Sequence, residues 1–462
     1  MTQQVGSPPE ETEQQPVSPS LTPAQEAKFS RPTIMIWLAA LGVLLLIFTG
    51  QAVRYLPQLI KAPLKPVVSA PQIAGGVPDT GLDILQIPGQ SSQPSIQLPG
   101  GYSVIYEQQN TISVVSTGND QTRVLNTPGY IYNRSITPLL TPDGQLLYSG
   151  DGLWITSTSG GSAQQIATLP ANQVITSLAL SHDGTTVAWS TEPVAGAGDV
   201  TIYAGPLKKA LPVYQHSANA CPCFRVFSFQ GTGKQGNSTL LLADDRGDHR
   251  AVQYGLWSLN LAQKPLQSPH QLLSSAQTAG PQTLAPDGNT LLYSSYEGLQ
   301  PFLTVTSASA DTIALTYAND LNIATLSENT PGLGATNVVL PAQKDMSNSA
   351  AYRWITTPRF TPDGHTLLYV EFSTDDYPPY TRHSALYSVQ VTGSGSHLKV
   401  GTPQLVATTP AYLIELGVWL NQHIITFYAD GALYALDIQN GAYKQLINTN
   451  VYTRVAAVRS QD

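Results

Sequence analysis

The sequence predicts an all-β domain, a β-propeller of seven four-stranded blades (six and eight being the neighbouring counts), behind one N-terminal transmembrane helix. Three observations predict it. One turn recurs at Thr141–Gly144, Ser181–Gly184, Ala285–Gly288 and Thr361–Gly364, each time followed by a short apolar-aromatic run. The 462-residue chain is 42% hydrophobic but only 11% charged, and its 37 glycines, 35 prolines and 22 tyrosines suit many short strands and turns. One unbroken apolar run, residues 33–53, stands near the N-terminus.

The charge balance excludes one class of function. The formal net charge is −8 and no stretch is rich in Lys or Arg, so the basic footprint that displaces phosphate counterions is missing and no nucleic-acid partner is expected. The charged fraction lies well below the roughly 25% of an ordinary soluble domain. A surface built from Ser, Thr, Gln, Asn and Gly suits a β-rich protein outside the cytoplasm.

Residues 1–32 combine Pro8, Pro9, Pro16, Pro19 and Pro23 with Gln, Glu and Ser. Such a segment buries too little apolar surface to offset its ordering entropy, and a disordered tail is expected. Residues 33–53 carry no charge and include Ile34-Met35-Ile36-Trp37-Leu38 and Leu44-Leu45-Leu46-Ile47-Phe48. As a helix this run spans about 30 Å, the hydrocarbon thickness of a bilayer. Trp37 and Tyr55 sit near its ends, as interfacial rings do. A single-pass anchor is expected, with cleavage after Gly50-Gln51-Ala52 open as the alternative. Lys28 and Arg31 before the run and Arg54, Lys61 and Lys65 after it do not settle its direction. Residues 54–99, rich in proline, are expected to form a semi-extended linker.

From residue 100 to 462 the chain repeats. The four turns precede Leu146-Leu147-Tyr148, Val187-Ala188-Trp189, Leu291-Leu292-Tyr293 and Leu367-Leu368-Tyr369. The pattern is strand, tight turn, strand: Pro presets φ, Asp bonds the turn backbone and Gly accepts a positive φ. Third strands follow, such as Gly152-Leu153-Trp154-Ile155 and Ser384-Ala385-Leu386-Tyr387, and fourth strands such as Gln165-Ile166-Ala167. Degenerate copies begin at Tyr102-Ser103-Val104-Ile105-Tyr106, Ser238-Thr239-Leu240-Leu241-Leu242 and His423-Ile424-Ile425-Thr426-Phe427-Tyr428. Repeats therefore start near 100, 143, 183, 237, 287, 363 and 422. Residues 297–319 and 372–383 read as loop insertions. Val451–Val458 reads as a first strand without a blade, and the Tyr102 repeat lacks a first strand. The C-terminal strand is expected to complete the N-terminal blade and remove two open edges. Ser95–Leu98 is the competing candidate for that place.

Pro-Asp-Gly turns followed by Leu-Leu-Tyr resemble the WD-like repeats of TolB-type β-propellers. The resemblance covers about residues 100–460, strongly at the four turns and weakly elsewhere. It implies a propeller whose faces bind proteins or other ligands, often in the bacterial cell envelope. It carries over no partner, since fold does not fix function, and the extra α/β domain of TolB is not expected here.

No residue is assigned a catalytic, cofactor-binding or metal-binding role. Asp143, Asp183, Asp287 and Asp363 recur one per blade and read as turn formers. Cys221 and Cys223 are the only cysteines; they read as an inert or disulfide-bonded loop, with redox or metal chemistry as the minor alternative. Arg246-Gly247-Asp248 lies in an expected hairpin loop, and His182 and His365 adjoin turns with no nucleophile motif beside them. Gly-x-Ser-x-Gly, His-Glu-x-x-His and phosphate-cradling loops are missing from the sequence.

The expectation is thus a membrane-anchored extracytoplasmic propeller, non-enzymatic and without a cofactor, that binds a protein or glycan partner on one face. Its best candidate surfaces are the insertions at 297–319 and 372–383. The alternative is an envelope hydrolase or lyase acting on glycans at the central channel. Three or more carboxylates or arginines converging on one channel mouth favour that alternative.

Overall fold

A computed structural model describes Ile84–Pro88, Ile96, Leu98 and most of Gly100–Ser460. Everything before residue 84 lies outside the described residues, as do several internal stretches, including 245–252, 300–316, 342–351 and 375–381. The expected tail, the apolar run 33–53 and most of the linker therefore lie outside them too. Among the described residues no helix is long and apolar enough to cross a membrane.

In all four repeated turns the same hydrogen bond forms: Gly144, Gly184, Gly288 and Gly364 donate to the carbonyls of Thr141, Ser181, Ala285 and Thr361 at 2.8–2.9 Å. The four glycines have φ between 69° and 78°, the left-handed region that costs an L-residue with a side chain. Each of the four joins the first and second strands of an antiparallel sheet, and the described residues form seven such blade sheets and one separate two-stranded hairpin.

Blade 1 holds Tyr102–Gln108, Thr111–Ser116 and Thr122–Val124, with Thr453–Ser460 as its first strand. Blade 2 runs Leu139–Leu140, Gln145–Ser149, Gly152–Ser157, Gln164–Thr168. Blade 3 runs Gln173–Leu180, Thr186–Pro193, Asp199–Pro206, Leu211–Ser217. Blade 4 runs Phe224–Phe229, Thr239–Asp244, Gln253–Asn260, His270–Leu273. Blade 5 runs Gln282–Leu284, Thr290–Tyr293, Leu321–Leu326, Leu333–Leu340. Blade 6 runs Tyr352–Phe360, Thr366–Thr374, Arg382–Thr392, and then Lys399–Val400 and Gln404–Thr409, which both pair with the third strand. Blade 7 runs Ile414–Trp419, Ile424–Ala429, Ala432–Asp437, Tyr443–Asn448. The second strands begin two to three residues after the repeat starts read from the sequence.

The ring closes as expected. Thr453–Ser460 pairs antiparallel with Tyr102–Gln108, from Tyr102 opposite Ser460 to Gln108 opposite Thr453. Ile96 and Leu98, the competing candidates, instead pack against the core between blades 7 and 1.

Both faces of each sheet are covered, which explains why the second strands read as continuous apolar runs. Leu146 and Tyr148 point into the core shared with blade 1, Leu147 into the core shared with blade 3. Seven such clusters lie between successive blades, the last joining Leu433 and Ala435 of blade 7 to Val104, Tyr106 and Val455 of blade 1. Each fully buried Leu in them contributes about 1.5–3 kcal/mol. Aromatic pairs cross from second to third strand in blades 2, 3, 6 and 7: Tyr148–Trp154, Trp189–Tyr203, Tyr369–Tyr387 and Phe427–Tyr434 stack at 5.0–6.4 Å between centroids.

Two boundaries differ from the sequence reading. The compact unit begins at Leu82, because the end of the expected linker docks on the ring. Leu85 is buried between blades 6 and 7, and Gln86 exchanges backbone hydrogen bonds of 2.7 and 2.9 Å with Thr408. The two insertions are also partly strand. Tyr296–Leu299 pairs with Tyr317–Asn319 as a separate hairpin, and in blade 6 the second and third strands run on to Thr374 and from Arg382. In the second place dense Asp, Tyr and Pro at 375–380 hide the period-2 alternation.

The turns of neighbouring blades interlock on one side of the ring. A Cβ on Gly184 would lie 2.2 Å from Pro142 Cδ, one on Gly144 would lie 2.7 Å from Arg459 Cζ, and one on Gly288 would meet Gly231 O at 2.6 Å. Asn237 Nδ2 donates to Asp183 Oδ2 at 3.0 Å and the Asp363 N–H donates to Gln422 Oε1 at 3.1 Å. The repeated glycine thus serves its own turn and the turn of the blade before it.

Candidate functional site

An antiparallel meander places first-to-second turns on one side of the ring. The second-to-third hairpins and the blade-to-blade connections lie on the other. The sequence-singled aspartates all fall on the turn side. Asp143 accepts from the Thr141 hydroxyl, Asp287 from Thr290 Oγ1 at 2.7 Å and Asp363 from Thr361 Oγ1 at 2.6 Å. Around Asp183, desolvation opposes ionisation, but donation from the Ser181 hydroxyl, the Thr185 N–H, the Asn237 amide and the Thr185 hydroxyl outweighs it and holds the carboxyl down at about 2. Asp363 is lowered in the same sense, chiefly by the Thr361 hydroxyl and the His365 N–H. A carboxyl lowered on folding stabilises above its unfolded pKa, and that contribution is lost as pH falls from about 4 towards 2. Urea midpoints measured across that window are expected to fall less steeply for Asp183→Asn than for the wild type.

His182 and His365 are exposed at their turns. Cys223 is disulfide-bonded, and Cys221 is the one other cysteine of the chain. Arg246-Gly247-Asp248 lies outside the described residues. Among the described residues no group of three His, Cys, Asp or Glu side chains could hold a metal ion.

What the sequence reading missed lies on the hairpin side, where the ring closes. Glu107, at the end of a second strand, is fully buried and stands directly opposite Arg454 on the closing strand. Arg454 Nε donates to Glu107 Oε2 at 2.6 Å, and its terminal nitrogen donates to the carbonyls of Asn133, at 3.1 Å, and Ile136. The Tyr130 hydroxyl donates to the other Glu107 oxygen. The Arg454 guanidinium lies 5.2 Å over the Tyr132 ring. Beside it the Tyr452 hydroxyl donates to Glu415 of blade 7, and Tyr452 sits edge-on to Tyr132 and Tyr428 at 6.3 and 5.2 Å. Burial pushes the Glu107 carboxyl up, while Arg454 and Tyr130 pull it the other way. Desolvation weakens the charge on Arg454, but Glu107 more than restores it.

The innermost strand of blade 6 continues this chain of polar groups. Arg359 Nε donates to Gly417 O of blade 7 at 2.9 Å. The strand bulges between Thr356 and Arg359, and Thr357 adopts φ 40° just before Pro358. A β-branched residue at positive φ is strained by about 1–3 kcal/mol, and a following proline disfavours that conformation further. The Thr357 hydroxyl accepts from the Leu416 N–H at 3.1 Å, which fixes the bulge against blade 7. Arg225 of blade 4 donates to Ser135 Oγ at 3.2 Å, so the connection between blades 1 and 2 reaches past blade 3 to blade 4.

The hairpins on this face are unequal. In blades 7, 1 and 2 the second and third strands are joined by residues 430–431, 109–110 and 150–151 alone. In blades 3, 4, 5 and 6 the joins are 194–198, 245–252, 294–320 and 375–381. The short joins thus fall on the three blades at the closure and the longer ones on blades 3–6. Ile131, Val174 and Val194 are exposed on the same face at 64, 40 and 64%.

Strand pairing and ring closure define the class: a seven-bladed β-propeller closed by its own C-terminal strand. No protein-family model matches this chain and no curated protein matches it. Solved propellers do. A periplasmic gluconolactonase of Pseudomonas aeruginosa is 14% identical, with 78% of this chain and 98% of that one covered at a TM-score of 0.44. The TolB structure from Agrobacterium tumefaciens is 13% identical over 78% of this chain and 99% of that one, at 0.34. An oligogalacturonate lyase from Vibrio parahaemolyticus is 13% identical over 76% and 87%, at 0.42. At such identities and scores these likenesses carry nothing about function.

Proposed function

We propose that this chain is a membrane-anchored, extracytoplasmic propeller that acts as a non-enzymatic binding module of the cell envelope, with a protein or glycan partner on the hairpin face. The observation that carries the reading is the asymmetry of that face, with longer joins on blades 3–6 and short ones at the closure. Loops held by a rigid scaffold are where recognition concentrates. Exposed Ile131, Val174 and Val194 add apolar anchors among polar neighbours. The apolar run at 33–53 and the low charged fraction support the placement at a membrane surface.

The test replaces residues 375–381 of the full chain by Asn-Gly, which closes a hairpin tightly. Capture of envelope proteins or glycans by the wild type is expected to fall about tenfold or more in the variant, at an unchanged unfolding midpoint. Equal capture by both sinks the reading.

One observation favours a second reading, a glycan hydrolase or lyase. Glu107, Glu415, Arg454 and Arg359 gather where the closing blades meet. Against it, the described partners of Glu107 (Arg454 and Tyr130) and of Glu415 (Tyr452) already engage both carboxylates. Turnover of an acidic glycan that disappears in Glu415→Gln would establish this second reading instead.

A further inference from the structure

Arg359, beside the closing region, has more donors than its contacts described above use. A guanidinium offers five N–H donors. Arg359 spends one on Gly417 O and one on Pro358 O, each at 2.9 Å. Among the described residues no carboxylate lies within ion-pair distance of it. The charge that acts on it, Glu415, accepts a hydrogen bond from Tyr452. Burying a cation without a paired anion is costly, and native proteins rarely leave one so. Burial accordingly pushes the Arg359 guanidinium down from its ordinary range, and Glu415 offsets only part of that.

Four further observations point to the missing partner. Ile355 and Phe360 point into the core shared with blade 5, so strand alternation on either side of the bulge turns Thr356 and Arg359 towards blade 7. The Thr356 hydroxyl is buried with no hydrogen-bond partner. The strained Thr357-Pro358 bulge is the feature that brings Thr356 and Arg359 to one side, where a regular strand would have put residues three apart on opposite faces. Arg359 keeps partial solvent access and lies on the first, innermost strand of its blade.

We propose that Arg359 and Thr356 form an anion-binding site beside the propeller axis, which takes the carboxylate or phosphate group of a small ligand. Free guanidinium N–H groups meet such an oxygen pair with charge-assisted hydrogen bonds, and the Thr356 hydroxyl donates a further one. The site does not depend on what the hairpin face binds, since its residues lie on a different set of elements.

Calorimetric titration of the full-length chain in chloride-free buffer, once with inorganic phosphate and once with acetate, tests this. Saturable binding of one equivalent of at least one anion is expected, with a matching rise in the unfolding temperature; the preferred anion identifies the ligand group. Arg359→Gln should weaken that binding about tenfold or more, and Thr356→Val about threefold or more. Should Arg359→Gln fail to fold, the valine variant decides, and unchanged affinity there overturns the site. The site is equally overturned if neither anion binds saturably, or if the glutamine variant folds and binds as the wild type does; Arg359 is then only a strut to Gly417.

Discussion

Replacing Arg454 by methionine is expected to lower the stability of the propeller by about 3–5 kcal/mol at neutral pH, the usual consequence of leaving one member of a buried pair alone. Glu107 has no exposed surface and meets Arg454 at 2.6 Å across the strand pair that closes the ring. Without the guanidinium, only the Tyr130 hydroxyl still opposes burial at that carboxyl, and its pKa rises further. A carboxyl whose folded pKa lies above its unfolded value costs nothing below the unfolded value, about 4.3, and costs progressively more as pH rises through the folded one. The deficit of Arg454→Met should therefore be smaller at pH 4 than at pH 8. The double variant Glu107→Gln, Arg454→Met should recover part of the loss, because it removes the stranded charge. Urea unfolding at the two pH values checks both statements. A deficit equal at both, with no recovery in the double variant, would show that Arg454 acts through its carbonyl contacts alone.

Gly184→Ala is expected to cost about 2–5 kcal/mol from two sources. The residue sits at φ 69°, which charges an L-alanine about 1–2 kcal/mol. The new methyl would also lie 2.2 Å from Pro142 Cδ of the preceding blade, and relieving such an overlap costs about 1–3 kcal/mol. Gly100→Ala is the matched control. Nothing lies within 4 Å of its would-be Cβ, and an effect within about 0.5 kcal/mol is expected. Equilibrium unfolding of the two variants side by side tests the interlocked turns. If Gly184→Ala behaves like the control, the turns do not couple one blade to the next.

The sequence carried most of the fold because propeller blades are local. A turn such as Thr361-Pro362-Asp363-Gly364, its apolar strand and the aromatic partner on the third strand lie within a few dozen residues, and each is dictated by backbone preference and side-chain period. Even the closing strand was legible, since an ownerless first strand at the C-terminus answers a missing one at the N-terminus. The docking of Leu85 was not legible, because one buried residue in a Pro-rich stretch leaves no periodic trace.

The candidate sites were hidden for a different reason. Glu107 and Arg454 stand 347 positions apart in the chain, and a lone charge in an apolar strand reads the same whether it faces water or a partner. A charged residue inside the predicted closing strand was the one available signal. The strained Thr357 and its pairing with Leu416 likewise exist only once blade 6 meets blade 7. Composition, turn chemistry and strand period by themselves determined that this chain makes seven β blades and joins its ends. Tertiary structure alone decided which charges meet at that joint, because burial and distance belong to the closed ring and to no single segment of it.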